Sequence, residues 1–246
     1  MGLSALGVSI LLSLLGTSGA GQTIAYLAYP FGFLVVIIGR QQLFTENTLF
    51  PVALVLAERE RLWSTLRLWG VVLSGNAIGA TLFALLVTAT PALDSAVLSE
   101  LVELGVDMAG KGLWATFWSA VVAGWMIALV AWLVTACKDT AGQILVIFFV
   151  TFVVGVGHFA HSIAGMTEVI SAVFGGEVSV ASGLTWAVTA ILGNTVGGVV
   201  IVALFNYGQV HQSKRFKAAN ARDEQAERDD QPERDDQPER EASPVG

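Results

Sequence analysis

Six long stretches of apolar residues, almost free of charge, set the main constraint on how this chain folds. A helix needs roughly 20 such residues to cross the hydrocarbon core of a bilayer. Charged residues make up only 13% of the chain, whereas soluble globular proteins carry about a quarter. We therefore exclude a soluble enzyme and predict an all-α integral membrane protein with six transmembrane helices. The stretches are residues 3–20, 24–57, 68–89, 113–137, 141–174 and 184–207.

The second and fifth stretches are much longer than one crossing requires, and polar or glycine-rich segments interrupt both. The interruptions are GRQQLFTEN at 39–47 and GVGHFAHS at 155–162. A break frees backbone N–H and C=O groups, which the hydrocarbon core tolerates only where protein or water receives them. We therefore predict that helices 2 and 5 are broken and line a cavity. Half-helix N-termini in that cavity suit a small anion.

The positive charges between the stretches predict the orientation, since Lys and Arg are retained on the cytoplasmic side. Seven of them fall on the side that also holds both termini, and the other side has only Lys111. We therefore predict a multi-pass protein of the inner (plasma) membrane with both termini in the cytoplasm. Residues 1–210 form its transmembrane domain, and 211–246 form a disordered acidic tail. The seven are Arg59, Arg61, Arg67, Lys138, Lys214, Arg215 and Lys217.

A short motif occurs in both halves of the chain, as LSGNAIGA at 73–80 and ILGNTVGG at 191–198, with an offset of 118 residues. Each half then holds three helices, so the second half enters from the opposite side. This pattern predicts two inverted three-helix repeats, as in channels and transporters. We assign the motif residues to helix packing, because small residues let helices approach closely. They are Gly75, Asn76 and Gly79 with Gly193, Asn194 and Gly197.

Three of these segments together resemble the formate/nitrite transporter family: residues 39–47, HSIA at 161–164 and GNTVGG at 193–198. Where the chain departs from the family's pattern, it is similar to the YfdC-like branch of the family. The resemblance to the family covers residues 1 to about 210. It implies a homopentamer of aquaporin-like protomers, each with its own pore for small monovalent anions such as formate or nitrite. It also implies that the broken second helix faces the central histidine, His161, through Leu43, Phe44 and Thr45.

The chain departs from that family's pattern at several positions near the expected pore. Glu46 stands where the family usually has a small residue, and Gly124 and Gly165 replace amides. Lys111 is the candidate for the lysine that the family places in the outer vestibule.

His161 is the residue we expect to act on the substrate, because ionisable groups within membranes are costly and usually functional. It could protonate a weak-acid anion; the alternative is a purely structural hydrogen bond to Thr45. His158 lies one helical turn earlier, so both imidazoles are expected to share a face, with a packing or capping role favoured for His158.

Glu46 and Glu168 need partners at this depth, and Arg40 is the nearest candidate. A structural network of Arg40 with one or both glutamates is the first interpretation. A proton relay or an altered selectivity is the second.

Two other functions remain open from the residues alone. The carboxylates are compatible with a pore for a neutral or cationic solute. A metal-dependent membrane protein could use His158, His161, Glu46 and Glu168, although no Glu-x-x-His motif occurs. We favour the anion pore, surrounded by membrane lipid. We expect no enzyme activity, no metal or other cofactor and no nucleic-acid partner.

Overall fold

The computed structural model describes residues 1–48 and 62–199. These residues belong to the first of two compact units, Met1–Asn206. The end of the second apolar stretch, Arg59, Arg61 and the acidic tail lie outside the described residues. The described chain is helical, which confirms the all-α prediction. Its helices are α1 (Gly2–Leu15), α2 (Gly19–Ala25), α3 (Pro30–Ile38), α4 (Leu62–Ala89), α5 (Ser95–Gly110), α6 (Leu113–Ala136), α7 (Thr140–Val156), α8 (Ser162–Phe174) and α9 (Val180–Val196).

Four helical segments of the described chain are long and apolar enough to cross a membrane. They are Gly19–Ile38, Leu62–Ala89, Leu113–Ala136 and Val180–Val199, whereas α1, α7 and α8 are shorter apolar helices. Large apolar side chains such as Ile78 and Leu82 on α4 are 61% exposed, as expected for a surface that meets lipid.

The predicted start of the second crossing is too late in the chain. Helix α1 ends at Leu15, where Gly16 takes a φ of 85°, and α2 begins at Gly19. Glycine adopts this left-handed conformation without a steric penalty, so it ends the first helix early. The predicted interruption of the second stretch begins where α3 ends, at Ile38.

The fifth apolar stretch is divided into α7 and α8, which are separated by residues 157–161. Asp139 is the N-cap of α7, and its carboxylate accepts a hydrogen bond from the Gly142 N–H at 2.8 Å. His161 is the N-cap of α8, and its side chain accepts from the Ala164 N–H. Both caps satisfy backbone donors that the first turn of a helix leaves free.

The amphipathic segment between the third and fourth stretches folds as α5. Its apolar residues Leu101 and Met108 are buried, and α5 packs against α8 and α1. At Gly105 a side chain would collide with the backbone of Glu168 on α8. The absence of a side chain there lets the two helices touch, so α5 is part of the protein core.

The two glycine pairs of the repeated motif have different surroundings. Gly193 and Gly197 lie directly against the backbone of α6, where a Cβ atom on Gly193 would fall 2.6 Å from the Ala120 methyl group. Gly75 and Gly79 are exposed on α4, and no atom of the described chain lies within 4 Å of the Cβ positions. In the part of the chain that the structure describes, the close packing predicted from this motif therefore holds for α9 and not for α4.

Candidate functional site

The breaks after α3 and α7 have the same backbone geometry. Arg40 and His158 both adopt left-handed conformations, with φ values of 53° and 50°. In each break the N–H of the next residue donates to the carbonyl five residues earlier, at 2.8 Å and 3.0 Å. The two left-handed residues are 118 positions apart, which is the offset of the repeated motif.

Asn76 on α4 holds the first break in place. Its Oδ1 accepts a hydrogen bond from the Phe44 N–H at 3.0 Å, and its Nδ2 donates to the Gln42 carbonyl at 3.1 Å. These backbone groups have no helical partner because α3 has already ended. The Asn76 amide therefore replaces the missing helical hydrogen bonds.

Asn194 on α9 does the same for the second break. Its Oδ1 accepts from the Ser162 N–H at 2.7 Å, and its Nδ2 donates to the Ala160 carbonyl at 2.9 Å. A further bond from Nδ2 reaches the Ala120 carbonyl on α6 at 2.7 Å. Asn194 is fully buried, so each of these bonds is shielded from water.

The two asparagines and their break partners are equivalent in sequence. Adding 118 to the numbers of Gln42 and Phe44 gives those of Ala160 and Ser162. The repeated motif predicts helix packing for both asparagines, and the contacts show that they also bond the broken backbone.

His161 and Thr45 meet between the two breaks. The distance from His161 Nε2 to Thr45 Oγ1 is 2.7 Å, and both side chains are fully buried. Phe33 packs edge-on against the imidazole with a centroid separation of 5.0 Å. Leu43 and Phe44 are also buried. Phe33, Leu43 and Phe44 belong to one apolar cluster, and the polar pair lies against that cluster through Phe33.

The capping bond of His161 determines where its proton lies. Nδ1 accepts a hydrogen bond from the Ala164 N–H at 3.1 Å, so Nδ1 carries a lone pair in this arrangement. In the neutral ring the proton must then sit on Nε2, which donates it to Thr45 Oγ1. The Thr45 hydroxyl hydrogen remains available for another acceptor.

A polar cavity of about 360 Å³ opens beside the first break. Arg40, Glu46, Asn47 and Gln143 contribute to its walls, so it offers both a cation and a carboxylate. We call it the Arg40 cavity.

A different set of polar groups surrounds the second break. The Tyr26 hydroxyl lies 3.0 Å from His158 Nδ1, and the Lys111 ammonium donates to the His158 carbonyl at 2.6 Å. Burial lowers the pKa of Lys111, while the carboxylates of Glu168 and Asp107 raise it. A cavity of about 200 Å³, lined by Tyr26, Asp107, Lys111 and His158, lies here.

The expectation that His158 and His161 share a helix face is wrong. Residues 157–161 are not helical, and the left-handed backbone at His158 turns the chain between the two rings. His158 contacts Tyr26, whereas His161 contacts Thr45. Tyr26 was missed from the sequence because it is 132 residues away from His158 and no motif marks it.

Of the two glutamates, only Glu46 shares the surroundings of Arg40, so a network of Arg40 with one glutamate stays a prediction and one with both does not form. Glu46 shares a cavity with Arg40, but Glu168 lies on α8, with its backbone against Gly105 of α5 and its charge acting on Lys111. The carboxylates belong to opposite breaks. The charge of Lys111 offsets part of the cost of the Glu168 carboxylate.

The two glycines that replace family amides have structural explanations. A Cβ atom on Gly124 would lie 2.5 Å from the Asn194 Cα, so this glycine brings α6 against the asparagine of the second break. A Cβ atom on Gly165 would lie 2.5 Å from the Trp186 ring. The indole therefore occupies the volume next to Gly165.

A metal centre finds no support in the part of the chain that the structure describes, since no group of three or more His, Cys, Asp or Glu side chains there could hold an ion. His158, His161, Glu46 and Glu168 are divided among the three surroundings described above.

Comparison with known proteins gives consistent matches. A sequence profile described as formate/nitrite transporter matches residues 1–208. The chain is 34% identical to the inner membrane protein YfdC of Escherichia coli (strain K12) over 208 residues, which cover 82% of this chain and 66% of that protein. It is 30% identical to a probable formate transporter of Methanothermobacter thermautotrophicus over 198 residues, 71% of this chain and 70% of the relative.

A solved structure, a pentameric formate channel with formate bound, has a similar fold. The TM-score is 0.71, with 18% identity, and the match covers 86% of this chain and 93% of the channel.

Proposed function

The chain belongs to the formate/nitrite transporter family, and from that premise we propose that it carries small monovalent anions through the space between its two breaks, together with a proton. Membership of the family makes it a channel or transporter of an inner membrane and not an enzyme. We propose that the substrate is an anion, that a proton accompanies it, and that the residues described below contact it.

The observation that carries the proposal is the His161–Thr45 pair, bonded at 2.7 Å and fully buried between the broken helices. Its hydroxyl hydrogen is free to donate to an anion. The neighbouring Ser162 hydroxyl is also buried, and its oxygen has no hydrogen-bond partner in the described chain. The Thr45 hydroxyl is thus the donor that meets the anion in this proposal.

An anion that enters such a centre without a counter-charge loses its hydration and gains little in return. The cost is removed if a proton from the adjoining cavities accompanies it, because the weak acid then crosses as a neutral molecule. His161 stays neutral in this scheme, since a proton on Nδ1 would face the Ala164 N–H and break the cap of α8. Its task is to orient Thr45 so that the hydroxyl donates to the passing substrate.

The cavities on either side supply the charges that attract an anion to the centre. Arg40 lines one of them and Lys111 the other. Each cation lies near a carboxylate, Glu46 and Glu168 respectively, which limits how tightly the anion is held. Weak binding on both sides favours passage over retention.

We extend the proposal to the architecture. The equivalent breaks, each bonded by an asparagine at the same offset, support two inverted three-helix repeats. The similarity to a pentameric channel supports a homopentamer with one pore per protomer. The transport domain spans residues 1–210, with both termini and the 211–246 tail in the cytoplasm.

The test is uptake of formate and of nitrite into proteoliposomes over a pH series. Replacing His161 with Phe removes both the donor to Thr45 and the cap of α8. Replacing it with Asn keeps an acceptor that is favoured at helix N-caps, so α8 still forms. A hydrogen bond between neutral groups contributes about 0.5–1.5 kcal/mol, so we expect both variants to lower uptake about 2- to 10-fold.

His161→Asn separates the two tasks of the histidine because it should keep the thermal stability of the wild type. Uptake by His161→Asn at the wild-type rate across the pH series would exclude the His161–Thr45 pair from transport. If wild-type vesicles take up neither anion at any pH, the transport proposal itself is wrong.

A further inference from the structure

Trp69 on α4 contacts the first break in two ways. Its indole N–H donates to the Asn47 carbonyl at 3.0 Å. Its ring packs edge-on against Phe44, with the ring centroids 6.0 Å apart. Tryptophan combines a large apolar surface with a single donor, so it can hold a backbone carbonyl and a neighbouring ring at once. One side chain of α4 therefore contacts residues on both sides of Thr45.

The first break contains a compact turn, residues 42–48, which we call the Thr45 turn. The Asn47 N–H and the Asn47 Nδ2 both donate to the Leu43 carbonyl, each at 3.1 Å. The Thr48 hydroxyl donates to the Thr45 carbonyl at 2.8 Å. Because these bonds stay within the turn, they fix its shape and leave its position relative to the helices to other contacts.

Helix α4 holds the Thr45 turn at both of its ends. Asn76 bonds the beginning of the turn, and Trp69 bonds its end at the Asn47 carbonyl. Trp69 and Asn76 are about two helical turns apart, so they lie on the same face of α4. Thr45 is located between the two bonded ends, with its hydroxyl against His161. The position of that hydroxyl thus depends on both contacts with α4.

The second half of the chain carries no donor at the position equivalent to Trp69. The offset of 118 residues relates Trp69 to Ala187, whose methyl group cannot donate a hydrogen bond. At the second break all three Asn194 bonds are buried, whereas the Asn76 bond to the Gln42 carbonyl is exposed. Water competes for an exposed bond, so the first break gains more from a further contact. Trp69 therefore supplies at the first break the hold that buried asparagine bonds supply at the second.

We propose that Trp69 is a positioning residue for transport, which holds Thr45 where its hydroxyl meets both His161 and the passing anion. The inference rests on the proposed function, in which Thr45 is the donor to the anion. Without the indole N–H, the Asn47 end of the Thr45 turn is free to move, and Thr45 shifts relative to the imidazole. The His161–Thr45 bond at 2.7 Å and the passage of the anion then weaken together, although neither residue is changed.

Trp69→Phe tests the proposal in the full-length protein, because phenylalanine keeps a ring near Phe44 and removes the donor to Asn47. The loss of one hydrogen bond between neutral groups should lower the maximal rate of formate uptake into proteoliposomes about two- to tenfold. The formate concentration for half-maximal uptake should change less than about twofold, because the charges that attract the anion are unchanged. Trp63→Phe is the matched control, as Trp63 lies on the same helix and is 78% exposed, and it should leave both quantities unchanged.

A double-mutant cycle with Thr45→Val separates positioning from a general loss of stability. If Trp69 acts through Thr45, Trp69→Phe should change uptake less than about 1.5-fold in the Thr45→Val background, because coupled residues are not additive. A merely structural role lowers the amount of folded protein by the same factor in both backgrounds. Equal losses therefore overturn the inference and leave the proposed function intact. Should Trp69→Phe not fold, Trp69→Tyr takes its place, since its ring fills more of the volume of the indole and also lacks an N–H at that position.

A spectroscopic measurement separates the inference from the transport proposal. The full-length protein is labelled with ¹⁵N-histidine in detergent, and the ring N–H signal that disappears in His161→Asn is followed. In Trp69→Phe this signal should move to lower proton frequency and exchange faster with water, because the bond to Thr45 is weaker. Trp63→Phe should leave it unchanged. An unchanged signal in folded Trp69→Phe overturns the inference, whereas a changed signal supports it even if wild-type vesicles take up no formate, a result that would reject only the transport proposal.

Discussion

Replacing Asn194 with alanine should destabilise the protein strongly, since one side chain serves three buried backbone groups. The variant leaves the Ser162 N–H and the carbonyls of Ala120 and Ala160 without a partner. Each unsatisfied buried group costs about 1–3 kcal/mol. We therefore expect the free energy of unfolding to fall by at least about 3 kcal/mol, and the midpoint of thermal unfolding by roughly 6–12 °C.

The offset of the repeat supplies a matched control, Asn76→Ala. Asn76 makes two of the equivalent bonds, and its bond to the Gln42 carbonyl is exposed. Water can replace the amide there, so we expect a loss of about 1–2 kcal/mol. Both variants are compared in the same detergent, by circular dichroism during heating and during titration with a denaturing detergent. A loss for Asn194→Ala below about 1 kcal/mol, or no larger than that for Asn76→Ala, would refute the argument that these bonds hold the second break.

Two further predictions concern selectivity and helix packing. Glu46→Gln removes a negative charge from the Arg40 cavity, so nitrite and formate uptake should rise severalfold at low anion concentration; unchanged uptake would assign Glu46 a structural role. Gly197→Ala should destabilise the protein by about 1–3 kcal/mol, because the added methyl group would collide with the Val121 carbonyl on α6. Gly79→Ala, at the equivalent position but with open space around it, should change the stability by less than about 1 kcal/mol in the same unfolding titration, and equal losses would contradict the packing described for α9.

The sequence predicts the position of the breaks well because their cause is local. Polar residues and glycines interrupt apolar stretches that are longer than a single crossing requires. Lipid cannot satisfy the backbone groups that such an interruption frees, so protein or water must receive them. The repeated motif also identifies Asn76 and Asn194. Its glycines alone suggest helix packing, so the hydrogen bonds of the asparagines became evident only from the folded chain.

The contacts that the sequence does not predict are long-range. Nothing local connects Tyr26 to His158, or Trp186 to Gly165. His158 itself adopts a left-handed backbone conformation, which determines its surroundings. This conformation is uncommon for residues other than glycine, and the local sequence does not predict it. The sequence therefore predicts helical spacing between His158 and His161, where the chain in fact turns.

The asparagine bonds also impose an order on biosynthesis. In both halves the break is synthesised 32 residues before the asparagine that bonds it. At a translation rate of about 5–20 residues per second, this interval lasts roughly two to six seconds. During that time the freed amides and carbonyls need water or the insertion machinery as partners, so α8 must stay near the aqueous interface of the translocon until α9 arrives. Nascent chains arrested before Asn194 should accordingly leave α8 accessible to water-soluble reagents.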